Sequence, residues 1–102
     1  MRFVALEKLI NLKDGYRRRI KMDQLDVLVV QEDGRLAIIQ SQCPHQQYPL
    51  TNAQIVNHTI VCPVHGYRFD LSTGATYEST CAALTVWQPI YEGNEVGILL
   101  AD

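Results

Sequence analysis

The chain has 102 residues, enough for one small domain but short for two hydrophobic cores. Its hydrophobic content of 47% predicts a folded globule and excludes a disordered chain. The formal net charge of −2 argues against nucleic acid or an anionic membrane as a partner. We therefore expect residues 1–102 to form a single domain.

The first forty residues predict short β-strands joined by tight turns. Residues 3–6 are expected to be a strand, followed by a helical turn or short extension over residues 9–12. Residues 25–31 and 35–40 are rich in β-branched and apolar side chains and flank the turn sequence Glu32-Asp33-Gly34. This is the clearest hairpin in the chain, and it leads directly into Cys43.

A run of three arginines, Arg17-Arg18-Arg19, lies in a predicted strand over residues 16–21, after a turn at residues 13–15. The run has two interpretations. It is a docking patch for an acidic partner, or it is a solvated edge strand that its charges protect from aggregation. We favour the second interpretation because short charge runs usually lie in solvent.

The second half also predicts strands. Residues 54–56 and 59–61 form a hairpin across Asn57-His58, where Asn57 tolerates a left-handed backbone. His58 is interpreted as a polar residue at the hairpin tip. Further segments are predicted as a tight turn over residues 69–74, a strand over 85–91 with Pro89 at its edge or end, and a closing strand over 95–100. The predicted fold class is all-β, with short antiparallel strands.

Two short motifs carry the chemistry: Cys43-Pro44-His45 and Cys62-Pro63-Val64-His65. Each supplies one thiolate and one imidazole, whereas a zinc finger usually takes two Cys from one motif and two His from the other. A 2Fe-2S cluster with two Cys on one iron and two His on the other requires this mixture. A zinc-stabilised interaction module is the alternative from another class of function.

The pattern C-x-H followed by C-x-x-H, with His-Gly-Tyr-Arg-Phe-Asp at residues 65–70, resembles the ligand signature of the Rieske family. The resemblance implies antiparallel sheets that carry a small cluster-binding subdomain, about residues 41–74, formed by two loops. It implies one Rieske-type 2Fe-2S cluster, held by the four ligands Cys43, His45, Cys62 and His65.

The same resemblance implies an electron carrier rather than an enzyme. It is expected to take one electron from a flavin-dependent reductase to a terminal oxygenase, as the ferredoxins of ring-hydroxylating dioxygenase systems do. The alternative within electron transfer is the Rieske-like small subunit of an assimilatory nitrite reductase. Many such subunits lack the ligands, whereas this chain has all four.

The resemblance also implies a low potential. High-potential Rieske proteins have a disulfide at the positions of Tyr48 and Val64, and hydroxyl donors from a Ser and a Tyr at the positions of Tyr67 and Phe69. Because Phe69 cannot donate a hydrogen bond, we expect a potential near the low end of the Rieske range, about −150 mV.

Several residues depart from the family pattern or lie outside it. Gln47 stands where the family usually has Gly, so the first loop is expected to be slightly reshaped. Cys81 is either a small buried residue or a redox-active thiol. Trp87 and Tyr91 are expected to pack in the core.

The odd number of cysteines, three, makes a disulfide framework unlikely and favours a reducing cytoplasm. Charges interrupt the apolar residues of the N-terminus, so no signal peptide is predicted. No apolar run approaches membrane-spanning length, so no membrane anchor is expected. From the length of 102 residues, a stand-alone oxygenase is not expected.

Overall fold

The computed structural model describes residues 1–64, 66–78 and 82–101, which are almost entirely β-structure. Every strand pair in this part of the chain is antiparallel, and the prediction of an all-β fold is confirmed. The strands are β1 Arg2–Lys8, β2 Arg17–Met22, β3 Leu25–Glu32, β4 Arg35–Gln40, β5 Gln54–Val56, β6 Thr59–Val61, β7 Arg68–Asp70, β8 Val86–Trp87, β9 Ile90–Glu92 and β10 Glu95–Leu100.

The described residues form three sheets, with strand orders β1-β10-β9, β2-β3-β4-β8 and β5-β6-β7. The third sheet contains the chain segments that separate and follow the two Cys motifs. A short 3₁₀ turn, Leu9–Asn11, follows β1, so the helical alternative predicted there is the one observed. No described helix has the length and apolar character needed to cross a lipid bilayer.

The central strands of the four-stranded sheet, β3 and β4, are buried on both faces, which explains why β3 has a continuous run of apolar residues. Alternate residues of β3 and β4 face two different cores. The base core lies against β1 and β10 and comprises Leu6, Val27, Val29, Ile38 and Ile98. The site core lies against the third sheet and the Cys motifs and comprises Leu28, Val30, Ala37, Ile39, Cys43, Leu50, Ala53, Ile60, Cys62, Phe69, Leu71 and Leu84.

Both predicted hairpins are present. The β3–β4 turn has positive φ at Asp33 and Gly34, and the β5–β6 turn has positive φ at Asn57 and His58. Two consecutive left-handed residues give the backbone twist that matches paired strands. His58 is partly exposed at the hairpin tip, where its carbonyl accepts a hydrogen bond from the Leu71 N–H at 3.0 Å.

The prediction of a turn over residues 69–74 was wrong at its start. Residues 68–70 form β7, in which Phe69 pairs with Ile60 of β6, and the turn begins only at Leu71. Phe69 is fully buried in the site core. A three-residue strand is too short to show an alternating pattern, so its strand character comes from this non-local pairing and burial.

The predicted strand over residues 85–91 is two strands in two sheets. In β8, Trp87 pairs with Ile38 of β4, whereas β9 pairs with β10. Pro89 lies between them and has no N–H to donate to a ladder, which accounts for the break. Trp87 packs against the base core as expected, but Tyr91 lies on the edge strand β9 and is 59% exposed.

Candidate metal centre

The two Cys motifs form loops that are closed in the same way. The Cys43 N–H donates to the Tyr48 carbonyl at 2.8 Å, and the Cys62 N–H donates to the Tyr67 carbonyl at 2.7 Å. In each loop the acceptor lies five residues after the Cys. The residue before it is left-handed, with φ of +56° at Gln47 and +68° at Gly66. The two loops therefore present their residues on matching backbones.

Both sulfur side chains are buried beneath these loops. Cys43 is 0% exposed and Cys62 is 1% exposed, and both belong to the site core. The backbone hydrogen bonds and the surrounding apolar side chains keep water away from the two Sγ atoms. Such surroundings suit soft ligands that bind a metal away from solvent.

The imidazole of His45 lies nearer the surface than the two cysteines. The residue is partly exposed, but its Nδ1 atom is buried. Its ring stacks on Tyr67 of the second loop, with centroids 4.1 Å apart and planes inclined by 28°. One ring nitrogen is thus buried in a residue that is itself partly exposed, as expected for a ligand at the edge of a buried centre.

Two residues singled out in the sequence, His65 and Cys81, lie outside the described residues. Within the described ranges, no three His, Cys, Asp or Glu side chains are grouped around a position for one metal ion. The donor set that is seen comprises two buried thiols and an imidazole with a buried nitrogen. Its chemistry fits a 2Fe-2S cluster, in which sulfur and nitrogen donors bind different irons.

Gln47 occupies the position in the first loop at which the family usually has Gly. Gln47 adopts the left-handed conformation in which glycine is favoured. Its φ is therefore positive, like that of Gly66 at the matching position of the second loop. Its N–H donates to the Cys43 carbonyl at 2.6 Å. Gln47 therefore adopts the backbone conformation that glycine favours, at a cost in local backbone energy.

The arginine run is engaged within the chain. β2 is an edge strand, as predicted, but Arg18 pairs with Glu7 at 3.5 Å and Arg19 forms a two-pronged pair with Asp26 at 2.9 and 2.7 Å. The Arg19 guanidinium, aided by a hydrogen bond from Ser41, lowers the pKa of Asp26 to about 2. Both arginines therefore have carboxylate partners within the chain, which favours the interpretation of β2 as a charged edge strand.

Two side chains that the sequence analysis missed support the first loop. Arg17 Nη1 donates to the carbonyls of Thr51 and Ala53. Gln40 donates from Nε2 to the Gln42 carbonyl at 2.8 Å and accepts at Oε1 from the Thr85 N–H at 2.6 Å. The position of Gln40, at the end of a strand next to the first Cys motif, was a weak indication in the sequence that it supports the loop. No such indication exists in the sequence for Arg17, because its hydrogen-bond partners lie 34 and 36 residues away.

Comparison with known proteins agrees with this geometry. A sequence model of the family described as the Rieske [2Fe-2S] domain matches residues 2–88. The chain is similar to the ferredoxin of carbazole 1,9a-dioxygenase from Nocardioides aromaticivorans IC177, with 26% identity, a TM-score of 0.79, and coverage of 94% of this chain and 95% of that one. A ferredoxin of Sphingomonas yanoikuyae B1, at 24% identity, shares the fold with a TM-score of 0.84 over 98% of this chain and 100% of that one.

A curated relative of different size matches a shorter stretch. Apoptosis-inducing factor 3 of Homo sapiens is 31% identical over 64 residues, or 63% of this chain. The chain spans only 11% of the length of that relative, so the likeness concerns one part of it. The family match covers both Cys motifs and implies one Rieske-type 2Fe-2S cluster, whose chemistry is one-electron transfer. The chain belongs to the Rieske [2Fe-2S] domain family.

Proposed function

We propose that this protein is a soluble, cytoplasmic, low-potential electron carrier that takes one electron from a flavin-dependent reductase and passes it to a terminal oxygenase. The observation that carries the proposal is the pair of matched loops, which bury both thiols while His45 is partly exposed. The similarity to dioxygenase ferredoxins over nearly the whole chain supports it.

The ligands in this proposal are the four residues predicted from the sequence. Cys43 and Cys62 would hold one iron, and His45 and His65 would hold the other. When bound, the cluster supplies a one-electron couple in which the imidazole-ligated iron is reduced. The chain contributes the dry surroundings of the two sulfurs, and the Tyr67 ring holds the orientation of His45.

The surface beside the loops suits a brief encounter with a redox partner. An open cleft of about 480 Å³ is lined by Tyr48, Pro49, Thr51, Asn52 and Pro63, none of which carries a formal charge. Tyr48 is 45% exposed. Redox encounters bury little surface, so an uncharged cleft lined by residues of both loops is compatible with rapid release.

The surroundings of Phe69 support the proposed low potential. This side chain is fully buried in the site core with both cysteines and has no hydroxyl. Fewer hydrogen bonds to the cluster leave the more negative, reduced state less stabilised, so we expect a potential of about −150 mV. Phe69→Tyr should raise the potential and Phe69→Leu should not. A clearly positive wild-type potential in a potentiometric titration would contradict the proposal.

The carrier role is tested with purified, iron-replete protein. It should be brown, contain acid-labile sulfide, accept electrons from a flavin-dependent dioxygenase reductase and pass them to a Rieske oxygenase in stopped-flow measurements. His45→Cys should perturb or abolish the spectrum, and an unchanged spectrum would remove His45 from the ligand set.

A colourless protein with stoichiometric zinc would replace the carrier role by a zinc-stabilised interaction module. Transfer to a nitrite reductase large subunit but not to the oxygenase would contradict the proposed partner.

A further inference from the structure

Arg17 links the base of the fold to the segment that follows the first loop. Its Nη1 atom donates to the Thr51 carbonyl at 3.0 Å and to the Ala53 carbonyl at 2.5 Å. The side chain is partly buried, and Ala53 is only 2% exposed. Hydrogen bonds from a charged donor to partly buried carbonyls contribute more to stability than hydrogen bonds between neutral groups.

The segment that Arg17 holds is joined directly to the first loop. The Ala53 N–H donates to the Leu50 carbonyl at 3.0 Å, and the Leu50 N–H donates to the Ser41 carbonyl at 2.9 Å. Ser41 lies two residues before Cys43, and Leu50 is fully buried in the site core with Cys43. A continuous series of hydrogen bonds therefore connects Arg17 to Ser41, at the start of the first loop.

Unlike Arg18 and Arg19, Arg17 has no carboxylate partner among the described residues. Arg18 pairs with Glu7 and Arg19 pairs with Asp26, whereas no described carboxylate pairs with Arg17. Its guanidinium contacts only neutral carbonyls among the partners seen. A positive charge in partly buried surroundings stabilises a group that becomes more negative on reduction, by an amount that decreases with the distance between them.

We infer that Arg17 is a positioning residue for the iron–sulfur centre. It holds the turn at residues 50–53, and through it the loop that carries Cys43 and His45, and its charge favours the reduced state. The part of this inference that concerns the cluster rests on the proposed function. The part that concerns the turn rests on the contacts alone.

Two variants of the same type separate the role of Arg17 from that of any arginine on β2. Arg17→Met removes the donors and the charge while keeping an apolar side chain. Arg18→Met is the matched control, since Arg18 is on the same strand, is 62% exposed and pairs with Glu7 in the base. Backbone amide exchange followed by NMR reports on Leu50 and Ala53, and this measurement needs no cluster.

In Arg17→Met we expect exchange at Leu50 and Ala53 to be about tenfold faster, the effect of losing about 1.4 kcal/mol. In the iron-replete protein, iron loss to a chelator should also be about tenfold faster, the EPR g-values of the reduced state should shift, and the potential should fall. Arg18→Met should match the wild type in all four measurements. A loss of packing alone would not produce the fall in potential.

Equal behaviour of Arg17→Met and Arg18→Met would overturn the inference. If Arg17→Met does not accumulate as folded protein, Arg17→Lys and Arg18→Lys are compared. We then expect about threefold faster exchange at the two amides in Arg17→Lys, because Lys has a shorter reach and no planar fork, and equality would again overturn the inference. A wild type without a cluster would refute the proposed function, while the exchange measurement would still decide whether Arg17 holds the turn.

Discussion

The phenol ring of Tyr67 on the second loop lies against the imidazole ring of His45 on the first, with centroids 4.1 Å apart. This contact joins the two loops through their side chains. The backbone closes each loop separately, through the Cys43–Tyr48 and Cys62–Tyr67 hydrogen bonds. The orientation of His45 therefore depends on a residue that is 22 positions away in the sequence.

Tyr67→Ala should disturb the centre while leaving the backbone of the second loop intact, because only the ring is removed. Stacked aromatic pairs contribute about 0.5–1.5 kcal/mol, so iron loss to a chelator should be about twofold to tenfold faster, with shifted EPR g-values. Tyr67→Phe keeps the ring and should resemble the wild type. Tyr48→Ala is the matched control, since Tyr48 closes the first loop in the same way but is 45% exposed. Equal effects at Tyr48 and Tyr67 would show that the stacking does not position His45.

Gln47→Gly should stabilise the protein. Gln47 has φ +56°, a conformation that costs a non-glycine residue roughly 1–2 kcal/mol, and glycine adopts it freely. We expect a gain of about 1 kcal/mol in the free energy of unfolding, measured by chemical denaturation. Gln46→Gly is the control, because Gln46 is also exposed but is not left-handed, and it should be neutral or destabilising. A loss of stability in Gln47→Gly would mean that the Gln side chain makes a contact that outweighs the backbone strain.

Gly74→Ala should be strongly destabilising for reasons of space. A Cβ atom at Gly74 would lie 1.9 Å from the Leu84 carbonyl oxygen, and the Leu84 N–H donates to the Gly74 carbonyl at 2.8 Å. Leu84 is 3% exposed in the site core, so the substitution would push this segment off the core. We expect a loss of about 3 kcal/mol. Gly34 has a similar positive φ, but a Cβ atom there would meet no other atom within 4 Å, so Gly34→Ala should cost about 1 kcal/mol. Losses of equal size in the two variants would rule out the steric explanation.

Glu7 should make stability depend on acid pH. Hydrogen bonds from the Tyr16 hydroxyl, then the Asn11 amide and the Lys8 N–H, lower the pKa of Glu7 from 4.5 to about 2. The folded state therefore favours the ionised carboxylate. The resulting stabilisation is present above pH 4.5 and is lost as the pH falls towards 2. Its full size is at most about 3 kcal/mol.

Denaturation curves collected between pH 6 and pH 2 measure this contribution. Glu7→Gln should be less stable than the wild type at pH 6, and the difference should shrink as the pH falls. Glu92→Gln removes an exposed carboxylate from β9 and should keep the wild-type dependence on pH. A constant difference between Glu7→Gln and the wild type at every pH would contradict the assignment.

Features that depend on neighbouring residues were accessible from the sequence. The Asp33-Gly34 and Asn57-His58 turns were predicted because a left-handed backbone has a strong local residue preference. The two Cys-Pro motifs were found for a similar reason, since metal ligands come in short motifs with narrow spacing. The alternation of β3 residues between two cores also follows from strand periodicity, although the identity of the two facing layers does not.

Features that depend on distant residues were not accessible. The strand character of Phe69, the division of residues 85–91 between two sheets, and the exposure of Tyr91 all depend on what lies opposite in space. The arginine run is the clearest example. The same three side chains have separate partners: Arg18 with Glu7, Arg19 with Asp26, and Arg17 with the carbonyls of Thr51 and Ala53.

The sequence by itself determined the kind of centre and most of the turns, because ligand chemistry and turn conformation are properties of a few adjacent residues. Only the tertiary structure decided how that centre is supported: the burial of both cysteines, the stacking of Tyr67 on His45, and the reach of Arg17 to the turn at residues 50–53. Those contacts form when packing of the apolar faces brings distant segments together. No local pattern encodes which polar group will then lie within hydrogen-bonding distance.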